Sequence, residues 1–473
     1  GGLKATFLAS YIHTAIIFMV LVVSVYTVYV KNFSTDKIYD GLQAVASYTE
    51  AQCKSTFSSG GTTFFEKGSY SCGGVKDNRD GSYLTMISGG GLQFGIINIV
   101  GNFGTVFVDQ SYWQSAIAAK PASTHKGYLL GGLVWFTIPF ALATSLGLAG
   151  VALQLPITSA EAGAGLVPPA VATHLFGSGG SVMMAIMLFM AITSTGSAEG
   201  IAVSSLVAYD IYKTYINPNA DGKKILLVSK LVIVVFGLCM GALSVALHYM
   251  GLNLGWVYMF MGTAIGSAVV PLWNLLMWKN ANATGAVVGA WGGMVLAVIT
   301  WMVAAAVQSG EITVDTLGKL EPNLAGNIVA ICSSGLIHVV FSLLKPQNYD
   351  FKSMGEIKML EDDKSGLAEE DFSESFLGEA KSWIQKWGWG FTIVMVIVWP
   401  LLSLPAGVFT KDYWAMWVFI SIAWSFVATF VIIWLPLYES AESFKNIFFQ
   451  MTGLGKLPTP AADDSKEGTN VEI

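Results

Sequence analysis

Charge is what this sequence of 473 residues has least of: Asp, Glu, Lys and Arg together make up 12%, about half the share in soluble domains. That shortage excludes a soluble globular surface. The formal net charge of −6 is spread too thinly to mark a nucleic-acid partner. Nucleophile–base pairs, metal-ligand clusters, heptads and phosphate loops are also missing from the sequence, so it reads as neither an enzyme nor a nucleic-acid binder. Its GxG-type glycines lie inside apolar runs, where they carry no nucleotide-binding meaning without a preceding soluble strand. No charged n-region or cleavage pattern marks a signal peptide. The sequence opens Gly1-Gly2-Leu3-Lys4 without Met and turns apolar at once. It is therefore expected to be a piece whose N-terminal part is absent.

Hydrophobic length is what the sequence has in excess. Apolar residues make up 53% and the mean hydropathy is +0.59. Ten stretches reach the length of about 20 residues that crosses a bilayer: approximately 3–30, 91–119, 126–154, 180–209, 224–249, 252–278, 283–308, 325–345, 389–409 and 412–436. The expected fold class is an all-α polytopic membrane protein. Between the first two spans lies a polar loop, 31–88, rich in Gly, Ser and Tyr; an acidic loop, 346–388, follows the eighth, and a polar tail follows the tenth.

Lysine placement sets the orientation. Lys120, Lys126, Lys213, Lys223, Lys224 and Lys279 fall on one set of alternating short connections, and only Lys319 and Lys411 on the other. The lysine-rich side is cytoplasmic, which puts loop 31–88 outside and the acidic loop and tail inside. Cys53 and Cys72 share the outer loop, where oxidation to a disulfide is possible. Cys239 and Cys332 lie within spans and are expected to be inert core thiols. The inner loop carries Glu361-Asp362-Asp363 and Glu369-Glu370-Asp371 with Ser365, Ser373 and Ser375 close by. It reads either as a solvated linker or as a phosphorylated regulatory segment. The tail lacks apolar periodicity and is expected to be disordered.

Two spans carry polar groups at depth. In the fourth, the apolar run Val182 to Ile192 gives way to Thr193, Ser194, Thr195, Ser197 and Glu199. A carboxylate at hydrocarbon depth costs at least ~2.5 kcal/mol and is kept where it faces a polar pathway or partner. Thr195 and Glu199, four apart, share a helix face. Hydroxyls alone also serve as glue between membrane helices, but hydroxyls with a carboxylate suit a coupling-cation site. In the second span, Gly95, Gly101 and Gly104 loosen a helix carrying Asn98, Asn102, Asp109, Gln110, Tyr112, Trp113 and Gln114. Glycine-interrupted helices with buried polar groups mark transporter binding sites, although glycines also permit close helix packing. Amides and a carboxylate beside aromatics suit a small neutral solute that forms several hydrogen bonds.

Three motifs resemble the sodium:solute symporter superfamily, and within it the urea active transporters: Gly1 to Thr14 (GGLKATFLASYIHT), Gly101 to Pro121 (GNFGTVFVDQSYWQSAIAAKP) and Thr193 to Pro218 (TSTGSAEGIAVSSLVAYDIYKTYINP). The resemblance runs from Gly1 to about Tyr438. It implies an inverted-repeat core of five plus five helices working by alternating access. Residues 1–30 are then the last helix of the first repeat, 31–88 an external loop, and 89–278 the second repeat. Residues 279–345 and 389–436 are peripheral helices, 346–388 a cytoplasmic loop and 437–473 a cytoplasmic tail. The resemblance further implies that the remaining helices of the first repeat lie outside this sequence.

The resemblance also implies roles. Ala191, Ser194 and Thr195 stand at the family's second-sodium-site positions, supplying one backbone carbonyl and two hydroxyls. Ser10 stands where sodium–sugar relatives have Asp, and Glu199 where they have an uncharged residue. A carboxylate lost at one point and gained at another fits a shift from sodium towards protons. Desolvation disfavours a charged carboxylate, so Glu199 can load a proton outside and release it inside. Asp109 is a second proton candidate, or a bonding partner for the substrate's amide hydrogens.

The expected function is urea import by a secondary active transporter of the plasma membrane or an internal membrane. The coupling ion is H+ or Na+, with no other cofactor and no obligatory protein partner. Candidate substrate contacts are Asn102, Asp109, Gln110, Trp113, Gln114 and Tyr258. A polyamine or other small-solute symporter, a passive urea channel and a transport-like sensor remain as alternatives. Other polar groups read more simply. His13 suits a proton relay or a bond to a neighbouring helix, and His338 is structural. Gly262 and Gly266 suit helix packing, and Pro271 a kink. Trp383, Trp387 and Trp389 suit an interfacial belt.

Overall fold

The computed structural model describes residues 2–56, 72–119, 121–351, 353, 373–439 and 441. Among them, ten helical stretches are long and apolar enough to cross a membrane, and the only β-pairings are isolated bridges, Asn78 with Ser88 and Thr85 with Val408. The clusters Glu361–Asp363 and Glu369–Asp371, Ser365 and the tail beyond 441 lie outside the described residues.

Helix α1 (Gly2–Tyr26) runs on as a π-helix, Thr27–Asn32. Phe18, Leu21, Val25 and Val28, spaced three and four apart, are fully buried along one side of it. Ser34 then caps α2 (Thr35–Ala46) by accepting a hydrogen bond from Lys37 N–H at 3.1 Å. This helix lies in the loop expected to be polar throughout. Ile38, Leu42 and Val45 are all fully buried, and they recur at i, i+4 and i+7, the spacing of one apolar helix face. This segment is thus packed onto the core: the Tyr39 hydroxyl donates to the Phe409 carbonyl at 2.8 Å. Within α3 (Glu50–Thr56), Cys53 is joined to Cys72 in a disulfide. Replacing both by serine frees a loop closed across a separation of 19 residues. That is expected to cost about 3 kcal/mol on the chain-entropy account, read as a lower thermal midpoint of the purified protein. An unchanged midpoint would show that the crosslink adds nothing.

Ser88 caps α4 (Gly89–Val108), which ends at Asp109; α5 (Gln110–Ala118) starts immediately. The third span is likewise segmented into α6 (Pro121–Trp135), α7 (Thr137–Leu142), a π-turn at Ala143–Gly147 and α8 (Leu148–Ala152). Pro139 has no N–H to donate to the Trp135 carbonyl, which accounts for the break at Phe136. The widened turn leaves the Thr144 carbonyl accepting from the Tyr29 hydroxyl. Thr158 and Glu161 form a capping box on α9 (Ser159–Gly163), and the bonds from Thr158 hold the Glu161 carboxyl below its usual range.

Helix α10 (Val167–Phe176) turns at Gly177, φ 61°, into α11 (Ser178–Ser205) with its π-continuation Leu206–Ile216. Helix α12 (Gly222–Tyr249) buries little besides Ile225 and exposes Leu227, Leu231, Val234 and Leu238, as a helix apolar all round does when lipid surrounds it. The sixth span is α13 (Leu254–Ile265) and α14 (Val269–Met277), joined by a 3-10 turn at Gly266–Ala268 just before Pro271. Then come α15 (Ala283–Ser309), α16 (Val314–Leu317) and α17 (Leu320–Leu344). The ninth span begins as α18 (Glu374–Thr392), fifteen residues before the apolar run. It continues through a π-segment, Ile393–Val398, to α19 (Trp399–Ser403), and α20 (Lys411–Glu439) closes the fold.

Helix α1 packs on α11 and α20, α4 on α13 and α17, and α15 on α17. Small residues permit α13 to approach α17 and the Gly266–Ala268 turn to approach α4. A Cβ on Gly262 would overlap the Asn327 side chain, and one on Gly266 would lie 2.6 Å from Val100. Cys239 and Cys332 are exposed rather than core thiols, because their spans turn those faces outward. His338 is fully buried beside Asn274, with its Nδ1 3.4 Å from the Asn274 amide. His13, expected to bond a neighbouring helix or relay a proton, has Nδ1 buried without a hydrogen-bond partner.

Candidate functional site

The site begins where α4 stops. Asp109 N–H still donates to Thr105 at 2.9 Å, but its ψ of 116° leaves the helix. Its carboxylate then accepts from Ser111 N–H at 2.7 Å and caps α5. In a continuous helix Ser111 N–H would bond the Phe107 carbonyl. That carbonyl instead accepts from the Trp113 indole at 3.1 Å. The break is thus fully served by residues on either side of it. It lies at Asp109 and not at the glycines expected to interrupt the span. Those glycines serve packing: a Cβ on Gly101 would come 3.1 Å from Met261, and one on Gly104 2.9 Å from Ile265.

Helix α11 brings Glu199 to this break. Its Oε1 accepts from the Ser111 hydroxyl at 3.2 Å, the same serine whose N–H donates to Asp109. Ser111 therefore bridges two carboxyl groups, Asp109 and Glu199, where the α4–α5 break meets α11. Ser111 was not among the residues marked by the sequence. The signal for it was a helix-start pattern, an Asp directly before a new helical segment.

The cation candidates do not converge as expected. At about 100° per residue, Ser194 lies about 140° around α11 from Glu199. It points to α1, where its hydroxyl donates to Ser10 at 3.2 Å. Ala191, on the same helix, packs against the apolar core. Thr195 shares the Glu199 face but is exposed. Ser194 and Glu199 thus belong to two contacts, one with α1 and one with α5.

The substrate candidates also divide. Asn102 donates to Tyr258 at 3.1 Å and to Asn98 Oδ1 at 2.7 Å, and the Tyr258 hydroxyl donates to Asn98. Phe94 stacks on Tyr258, with 5.9 Å between ring centroids. This amide–aromatic cluster lies between α4 and α13, with Asn102 about 10 Å before the break at 1.5 Å per residue. Gln110 and Trp113 instead line an apolar cavity of about 690 Å³ shared with α14 and α15. Gln114 is half-buried on α5. The helical turn separates them: a single strip of α4 and α5 cannot present Asn102, Asp109, Gln110, Trp113 and Gln114 to one solute.

An interrupted helix facing a polar helix at membrane depth is the construction of a secondary transporter. The model of the sodium:solute symporter family matches residues 1–293, and the chain belongs to that family. Among curated relatives, it is 53% identical over 443 residues to the urea-proton symporter DUR3 of Oryza sativa subsp. japonica, covering 93% of this chain and 60% of that protein. It is 34% identical over 492 residues to the probable urea active transporter 1 of Schizosaccharomyces pombe, covering 100% of this chain and 69% of that one. With the urea active transporter of Saccharomyces cerevisiae it shares 39% over 375 residues, or 76% and 48% of the two chains. The chain thus spans from about half to about two thirds of the length of these relatives. No solved structure matches it significantly.

Proposed function

We propose that this chain belongs to a urea importer of the plasma membrane that couples urea entry to protons by alternating access. The observation that supports the coupling is the bridge from Ser111 to both Asp109 and Glu199. Through Ser111 it ties two carboxyl groups to the break between α4 and α5; in this reading the pair carries the proton, and moving one half-helix changes the proton's partners. Urea as the solute rests on the relatives named above. The Asn98–Asn102–Tyr258 cluster supplies the matching chemistry, since amide and hydroxyl groups pair with a small diamide.

Sodium is the second coupling ion to test, because Ser10 and Ser194 bring two hydroxyl oxygens together across the α1–α11 contact. The discriminating experiment expresses the complete gene product in cells lacking their own urea uptake and follows labelled urea in sodium-free acidic medium. Accumulation above the outside concentration supports the proposal. Equilibration without accumulation would make the protein a passive channel, and competition by polyamines but not by urea analogues would replace the solute.

A further inference from the structure

We propose that the cytoplasmic end of the α6–α18 contact is a binding site for one anionic phospholipid of the inner leaflet. Two adjoining hollows define it. An apolar groove of about 540 Å³ runs between the helices, lined by Leu130, Leu133, Trp383, Trp387 and Phe391, with Lys126 at its mouth. A polar hollow of about 670 Å³ lies on the cytoplasmic side, lined by Ser382, Lys386 and Glu379, and it shares Trp383 and Trp387 with the groove. Polar and apolar compartments therefore meet at two tryptophans, as a lipid's headgroup and chain meet at the membrane interface.

Charge and length both fit. Lys126 and Lys386 flank the junction, and Lys381 lines a third hollow beside it; Glu379 is the one carboxylate lining these three hollows. Basic hollows between helices on the cytoplasmic side are the chemistry that holds anionic headgroups. The groove follows α18 and its π-continuation from Trp383 to Val394, about 16 Å at 1.5 Å per residue, close to the ~15 Å half-thickness of a hydrocarbon core. His125 packs edge-on against Trp383 at 5.3 Å, and Lys386 lies 5.5 Å over Trp387, so the mouth is framed by groups already held in place. The π-continuation of α18 forms one wall, so a bound chain would brace a ninth span that otherwise buries little of its surface.

The test uses the complete gene product, purified and reconstituted in nanodiscs of phosphatidylcholine with a minor fraction of phosphatidylserine, with retained lipid read by native mass spectrometry. One phosphatidylserine is expected to remain on each chain in preference to phosphatidylcholine. Each lysine contributes a factor of about five, so Lys126→Gln with Lys386→Gln should lower retention by roughly thirtyfold. Leu130→Trp, which fills the groove without changing charge, should lower it as well. Equal retention of the two lipids, retention unaffected by either variant, or equal displacement by soluble glycerophosphoserine would each overturn the proposal.

Discussion

Glu199→Gln is expected to abolish acid-driven urea accumulation while leaving the protein folded and in the membrane. The glutamine keeps an oxygen that can accept from the Ser111 hydroxyl, so the contact between α5 and α11 survives. What is lost is the carboxyl group proposed to carry the coupled proton. The effect is large because the driving force is large. One proton moving down 100 mV supplies about 2.3 kcal/mol, and one unit of pH adds about 1.4 kcal/mol. Together they set a ceiling of roughly 500-fold accumulation for a neutral solute moved one-to-one with a proton. The variant should fall towards a ratio of one, measured as steady-state labelled urea inside and outside. Full retention of pH-driven accumulation would remove Glu199 from the coupling mechanism.

Gly180→Ala is expected to be among the most damaging small substitutions in the fold, although it adds one methyl group. Gly180 sits at the turn from α10 into α11, where its N–H donates to Gly177 at 3.0 Å. A Cβ there would overlap the Ala172 carbonyl, a backbone atom that cannot rotate away. Overpacking of this kind costs about 1–3 kcal/mol, and the entry angle of α11, which carries Glu199, shifts with it. Gly179 provides the control: a Cβ there meets nothing within 4 Å. Gly179→Ala should be neutral or stabilise by up to ~1 kcal/mol through helix propensity. The comparison is read from the thermal midpoint and monodisperse yield of the two purified variants. Equal behaviour would show that the α10–α11 turn relaxes without cost.

The spans were legible because about 20 apolar residues are needed to cross a bilayer and few other structures need them. Helix α2 was not, although Ile38, Leu42 and Val45 stand at helical spacing; three apolar residues in a polar loop are too few to announce burial. The kink before Pro271 followed from proline's missing donor, whereas the break in the second span was ascribed to glycines and lies at Asp109. The glycine pattern was real but marks close approach to α13. In α18 the polar residues hid a helix because only one of its faces is apolar. At the site, Glu199 and Asp109 each stood out as carboxylates in apolar surroundings. That they meet, through Ser111, depends on α5 reaching α11 across nearly ninety residues. One sequence without its fold cannot report such a contact. The division of Ser194 from Glu199 follows from helix geometry, and could have been read from their spacing of five.

The most direct measurement of the central claim is urea-evoked current under voltage clamp in cells expressing the complete gene product, recorded in sodium-free medium at acidic outside pH. Inward current that grows with outside acidity and needs no sodium is the expected result, and it would make the Asp109–Ser111–Glu199 cluster the coupling element. Current that appears only when sodium is restored, and that ignores pH, would contradict the account and return the coupling role to Ser10 and Ser194.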